Sequence, residues 1–245
     1  MGIGHAEAPF VIGKQLDDAN AFASESSPIE VSELQEEIND GPFGDLAGVS
    51  LPVTVTAKSA DMTARATGGF LFTHQGYSGP AVLDVSHVAV RSRTAQVTVQ
   101  WTVLTDDGWE ALLRPDGTRT VLRALSAELP DRLAKALIDQ AFVESDRSLA
   151  HLTRDERRRL IATLVRGPLP WTGDEGYKKA EVTGGGVDLS EIDPRTMESR
   201  KHPGLFLCGE MLDAFGPIGG YNFYWAWATG RAAGLGAAAH NVPND

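Results

Sequence analysis

Cysteine is nearly absent. A single thiol, Cys208, stands in the 245-residue chain, so no intrachain disulfide braces the fold, and one cysteine without partner ligands builds no zinc site. No run of roughly 18 apolar residues occurs, which leaves nothing to span a bilayer as a helix. Positive charge is scarce: 22 Lys and Arg face 33 Asp and Glu, for a net charge of −11. That balance argues against nucleic acid or an anionic membrane surface as the main partner. The one basic run, Arg154 with Arg157-Arg158-Arg159, reads as the solvated face of a helix. A Walker loop and a Gly-x-Ser-x-Gly elbow are both missing, and the six histidines are dispersed, with no two four residues apart around a carboxylate. No metal site is expected. The opening Met1-Gly-Ile-Gly-His-Ala-Glu has neither the basic start nor the apolar centre of a secretory signal, so cytoplasmic residence is expected. Gly2 and Gly4 lack both a preceding strand and a third glycine, so they make no dinucleotide-binding fingerprint.

What is present concentrates near the C-terminus. Residues 205–208 form an apolar run that predicts a short buried strand, with Cys208 as an inert filler. The run stops at Gly209-Glu210, a turn with Gly216-Pro217 follows, and Gly219-Gly220 open a small-residue helix over 221–240. Two glycines at a helix start leave backbone N–H groups unobstructed. The helix dipole adds partial positive charge there, worth about 0.3–1 kcal/mol toward an anion. Such a mouth suits a ligand that accepts electrons and gains negative charge.

Upstream, Ser27-Pro28 predicts a helix over 28–38, and the rest of the first forty residues shows little organisation. Alternation over 53–57 and across most of 95–104 predicts strands. Gly68-Gly69 reads as a tight turn before the apolar 70–72. Helical spacing covers 119–128 and 130–142, and Thr153 with Glu156 forms a capping-box pattern for a helix over 154–165, closed by Gly167-Pro168. Short strands return at 180–183 and 187–189.

Three blocks carry a family resemblance. Gly204-Leu-Phe-Leu-Cys-Gly-Glu-Met-Leu-Asp-Ala-Phe-Gly-Pro-Ile-Gly-Gly-Tyr-Asn, continuing to Thr229-Gly230, resembles the closing signature of the flavoprotein family that includes aminoacetone oxidase and certain bile-acid-reducing flavoenzymes. Leu71-Phe-Thr-His-Gln-Gly-Tyr-Ser-Gly-Pro-Ala and Glu181-Val-Thr-Gly-Gly-Gly-Val, followed by Thr196-Met-Glu-Ser, are similar to two further segments of that family. The matches run in the family's order over residues 47–239.

The resemblance implies an α+β architecture: an antiparallel β-barrel with a small helical cap, inserted into a Rossmann-like FAD domain of which this chain supplies the returning strand-helix part. The implied division is an N-terminal segment at 1–46, a barrel-like substrate domain at 47–118 and 168–192, the cap at 119–167, and the FAD-domain part at 193–245. The family's N-terminal glycine fingerprint has no counterpart here, which leaves a separately encoded nucleotide-binding half as a partner to be tested.

The resemblance implies a cytoplasmic oxidoreductase that transfers hydride between a small organic substrate and FAD, with oxygen or NAD(P)H as second partner. The alternative is a non-catalytic truncated remnant, or a subunit that needs a separate nucleotide-binding chain. The amides of Gly219, Gly220, Tyr221 and Asn222, with Gly216 and Pro217 before them, would face the flavin ring. Gly209 and Glu210 would meet the ribityl chain, and Gly184 and Gly185 would let backbone approach a flat ring. His74 is the histidine inside a matched block and the candidate for the substrate side. Trp225 and Trp227 read as packing residues, and Glu198 and Ser199 as loop-fixing ones.

Overall fold

A computed structural model describes residues 29–31, 34–35, 43–176 and 180–240. Its centre is an antiparallel sheet built on β3 (Ser50–Lys58) and β4 (Thr63–Phe72), which pair along their whole length. Alternation does what the sequence predicts: Val53, Val55 and Ala57 point inward while Thr54 and Thr56 face out. Gly68 and Gly69 are not a turn. They lie inside β4, opposite Val53 and Pro52. The next helix lies against this glycine pair: a Cβ on Gly68 would be in van der Waals contact with the Ala81 nitrogen at 3.5 Å.

That helix, α1 (Pro80–Arg91), follows the short β5 (Gly76–Ser78). Its cap is Gly79 at φ +101°, where a Cβ would stand 2.5 Å from the Gly69 carbonyl oxygen. Val82, Val85, Val88 and Ala89 bury the side of α1 that packs on β3 and β4. A cluster of Phe43, Phe70, Phe72, Tyr77 and Trp101 fills the end of this core, with Phe72 stacked on Trp101 at 5.9 Å.

The remaining strands complete the sheet. β6 (Gln96–Gln100) pairs with β3 and with β7 (Gly167–Pro168). At the other side β5 pairs with β2 (Leu34–Gln35), which pairs with β8 (Gly173–Asp174). The order is β7-β6-β3-β4-β5-β2-β8, and among the described residues no ladder joins the two outer strands. A separate two-stranded sheet joins β1 (Ile29–Val31) to β9 (Val182–Gly184). The helix expected over 28–38 is therefore replaced, where it is described, by two strands whose partners lie far along the chain. The rest of that stretch falls outside the described residues.

The strand expected over 95–104 ends at Gln100, and α2 (Asp106–Leu112) follows. Three further helices fall in the stretch expected to form a cap: α3 (Val121–Leu125), α4 (Asp131–Gln140) and α5 (Arg154–Arg166). Thr153 and Glu156 close the expected capping box on α5, each side chain taking the other's backbone N–H. Beyond two 3-10 turns, Leu189–Glu191 and Gly209–Met211, the chain ends its described part in α6 (Tyr221–His240). No helix of the described residues is long and apolar enough to cross a membrane.

The strand expected at 205–208 does not form. Only a single bridge, Glu198 to Phe206, marks it, and Leu205 is exposed while Cys208 is half-buried. An apolar run becomes a buried strand only with neighbours on both sides, and among the described residues no ladder receives it. Cys208 is thus not the sealed filler its surroundings in sequence suggested.

Candidate functional site

The start of α6 is held open by two side chains. Asn222 folds back so that its Oδ1 accepts the Gly216 N–H at 2.7 Å and its Nδ2 donates to the Gly216 carbonyl at 3.1 Å. Asp84 on α1 accepts the Ile218 N–H at 2.7 Å across 134 residues of sequence. Gly219 and Gly220 then pass through φ +125° and +97°, a region that costs other residues strain. Nothing lies within 4 Å of where either Cβ would be. Gly220 caps the helix by accepting the Tyr224 N–H at 3.0 Å. The amides of the first turn have no carbonyl one turn back to bond.

The opposite wall is the Gly209–Met211 turn. Oε1 of Glu210 accepts both the backbone N–H and the hydroxyl of Thr183, at 2.6 and 2.7 Å. The Gly209 N–H donates to the buried Thr229 hydroxyl at 2.9 Å, and Trp225 Nε1 donates to the Gly209 carbonyl at 3.2 Å. The Gly185 N–H donates to Asp213 at 2.9 Å. Gly184 is buried in β9, and Gly186 passes the Met211 carbonyl so closely that a Cβ would stand 2.6 Å from its oxygen.

Between these walls lies a cleft of about 240 Å³ with Glu181, Val182, Glu210, Ile218, Gly219, Gly220, Asn222, Phe223 and Trp225 around it. Pockets that enclose a whole small ligand typically measure roughly 300–1,000 Å³, so this cleft is the size of one part of a larger site. Of the residues that the motifs single out, Glu210, Gly219, Gly220 and Asn222 line this one cleft. Gly209, Gly216, Pro217 and Tyr221 stand directly beside them in sequence, while Gly184 and Gly185 serve the wall through Thr183 and Asp213. His74 is not brought in: it is exposed in the turn between β4 and β5 and does not line the cleft.

Four supports were invisible beforehand. Thr183 and Thr229 lie inside the quoted motifs, and their hydroxyls carry the wall. Asp84 gives no local signal. His87, one turn further along α1, meets the Phe215 ring edge-on at 5.3 Å, and its buried Nδ1 has no partner among the described residues. Burial, with Arg91 nearby, pushes His87 below its ordinary pKa against the opposing pull of Asp84, so it sits neutral beneath the loop.

Glu198 and Ser199 do fix their loop: Glu198 accepts the Gly204 N–H at 2.7 Å, and Ser199 accepts those of Lys201 and His202. Trp227 does not pack as expected. It is 73% exposed, and with Tyr221, Phe223, Tyr224 and Leu235 it gives α6 an uncovered apolar face. A second apolar cleft of about 300 Å³ runs along the same helix between Leu189, Met197, Trp225 and Ala232. Among the described residues no cluster of side chains suits a metal ion.

Comparison with known proteins places these features in a lineage. The ribosomal RNA dihydrouridine synthase of Escherichia coli is 38% identical over 191 residues, covering 76% of this chain and 46% of the relative. That of Haemophilus influenzae is 34% identical over 190 residues, covering 78% and 46%. A 3-dehydro-bile acid delta(4,6)-reductase of Clostridium scindens is 30% identical over 230 residues, covering 90% and 56%. The chain thus spans about half the length of the curated relatives it matches. The family model described as the HI0933-like protein Rossmann domain matches residues 46–236, and the chain belongs to this HI0933-like family.

Proposed function

We propose that this chain carries the flavin-ring and substrate side of an FAD-dependent reductase acting on a carbon–carbon double bond conjugated to a carbonyl. The observation that carries the reading is the mouth of α6: a glycine-lined approach with unspent first-turn amides, faced by a carboxylate whose second oxygen has no partner among the described residues. These features fit FAD. The amides of Gly219 to Asn222 would meet the electron-rich edge of the ring, and Glu210 would accept from a hydroxyl of the ribityl chain. Fixed donors of this kind need no reorganisation as negative charge builds. Bound FAD, reduced by NAD(P)H, would supply the hydride.

The names of the relatives support the reductive direction. Dihydrouridine differs from uridine by two hydrogens across a ring double bond conjugated to a carbonyl, and a delta(4,6)-reductase saturates a double bond in a steroid. The two substrates share this chemistry, and the higher identities favour a uracil ring in RNA over a small free enone. Oxidation of an amine, as in aminoacetone oxidase, remains a likeness of motif alone.

The role of this chain's residues is to bind and exclude. Asn222 and Asp84 fix the loop, so the amides keep their aim. Trp225 and Phe223 shed water from one side of the cleft, which strengthens every dipole inside it. The uncovered face of α6 would receive the rest of the nucleotide-binding half, from the same polypeptide or a separate one. That dependence favours a second reading, a subunit that is inert alone.

The test is fluorescence quenching of FAD and FMN by the purified chain, with and without the nucleotide-binding half of a relative. Gly220→Val should weaken FAD binding at least tenfold. Valine is strained at φ +97°, so Phe223→Glu, at a 70% exposed position, provides a second variant that keeps the fold and sets a carboxylate at the mouth. Quenching unchanged in both variants would refute the assignment. Binding only with the added half supports the subunit reading.

A further inference from the structure

The net charge conceals an asymmetry. Residues 119–167 hold ten basic and seven acidic side chains, so the cap is cationic while the rest of the chain carries the whole acidic excess. Part of this basicity is spent internally. Arg159 donates to the Ala141 and Phe142 carbonyls, Arg147 pairs with Glu144 and Glu156, and Arg166 grips Asp106. Of the arginines on α5, these contacts occupy Arg159 and Arg166.

Elsewhere the cations are unspent. Between α3 and α4 lies an open notch of about 470 Å³ lined by Thr120, Leu122, Arg123, Ser126, Asp131, Arg132 and Lys135. Arg123 and Lys135 are exposed and make no ion pair among the described residues. Arg132 commits one nitrogen to the Ala47 carbonyl at 3.4 Å, leaving the rest of its guanidinium to donate. Arg132 and Lys135, three residues apart on α4, share a face, and Arg123 confronts them from α3. Three cations against the single carboxylate of Asp131 leave the notch positive.

The floor is firm. The Val121 and Leu122 amides donate to the Arg147 and Ser145 carbonyls at 2.9 and 3.1 Å, and the Leu149 amide donates to the Arg119 carbonyl at 2.8 Å. The Thr120 hydroxyl accepts the Arg123 amide at 3.3 Å, so its own proton is free to face outward. Guanidinium, ammonium and hydroxyl donors around an open notch form the donor set that positions a nucleic acid by its backbone.

We propose that the α3–α4 notch is a phosphate subsite in which Arg123, Arg132 and Lys135, with the hydroxyls of Thr120 and Ser126, take a backbone phosphate of a folded RNA. The proposal rests on the reading that the reduced ring is a uracil in RNA. It reverses the inference from net charge: a polyanion meets the cationic stretch at 119–167, while the acidic excess lies in the rest of the chain. The notch shares no lining residue with the α6 cleft that the proposed function gives to the flavin ring.

The test is fluorescence anisotropy of a labelled ribosomal RNA hairpin with the full chain at 50 and 200 mM salt. Each lost phosphate contact lowers the salt slope by about one. The double charge reversal Arg123→Glu with Lys135→Glu should weaken binding at least tenfold at 50 mM salt and lower the slope by about two, while Arg123→Lys with Lys135→Arg restores most of it. Equal affinities for wild type and the reversed variant, or no binding by wild type, would overturn the proposal. Equal, notch-dependent binding of heparin or duplex DNA would overturn the assignment to RNA. FAD quenching measured on the same variants separates the two readings. If quenching is intact while RNA binding ignores the reversal, only the notch fails; if RNA binding follows the notch and no variant quenches flavin, only the reductase reading fails.

Discussion

Thr229→Val probes the joint between α6 and the wall of the cleft. The Thr229 side chain is buried, with 4% exposure. Its hydroxyl accepts the Gly209 N–H at 2.9 Å and donates to the Trp225 carbonyl at 2.7 Å. Valine keeps the shape and one methyl but removes the acceptor. The Trp225 carbonyl keeps its place in the helix ladder, so its loss is small. The Gly209 amide is left buried with no partner, which costs about 1–3 kcal/mol. Thr and Val have similar helix propensity, so that term cancels. For a chain of this size each kcal/mol moves Tm by roughly 2–4 °C. Thr229→Ser supplies the control: it keeps the hydroxyl and loses one buried methyl, worth about 0.8 kcal/mol. Thermal melts followed by circular dichroism should therefore rank wild type above the serine variant and the serine variant above the valine variant. Trp225, whose indole donates to Gly209, should also change its emission in the valine variant alone. A valine variant that melts at or above the serine variant would refute the reasoning, because the hydroxyl would then not be holding the turn.

Other outcomes follow from electrostatics. His87 is held below its ordinary pKa, chiefly by burial, so below about pH 6.5 the unfolded chain binds a proton that the folded chain resists. Stability should fall as pH drops from 6.5 toward the lowered folded value, and His87→Gln should flatten that fall in denaturant midpoints; parallel curves would contradict it. Asp106 is held below the usual carboxylate range by the two hydrogen bonds from Arg166, each 2.7 Å, that tie α2 to α5. The pair is about half exposed, so Asp106→Asn should cost under about 1 kcal/mol, less at high salt. Its contribution should be present near pH 7 and vanish as pH falls through the lowered Asp106 pKa, which a pH series of melts would show.

Local patterns were legible where a few neighbouring residues decide the outcome. The Thr153–Glu156 box caps α5, the alternation of β3 is realised strand-wide, and the glycine pair opens α6. Partners distant in sequence were not legible. Gly68 and Gly69 look like a turn until α1 packs on them, and the residues after Pro28 form strands because β9, β5 and β8 pair with them. The 205–208 run has strand character without the neighbours that would make it one. At the site, the motifs marked Glu210, Gly219, Gly220 and Asn222, yet Asn222 acts through its side chain as a clamp on Gly216. Asp84 reaches Ile218 from another element altogether. A sum of charges over the chain carries no positions, so the net positive stretch at 119–167 is hidden in it.

In the proposed function, the first-turn amides of α6 meet the flavin ring. Lumiflavin, which lacks the ribityl phosphate and adenosine, isolates that contact from any nucleotide-binding half. In a ¹⁵N-resolved NMR titration of the chain, lumiflavin should shift the amides of Gly219, Gly220, Tyr221 and Asn222 most, and reduction with dithionite should enlarge those shifts as negative charge develops on the ring. Shifts confined to other surfaces, with these four amides unmoved in both redox states, would contradict the account.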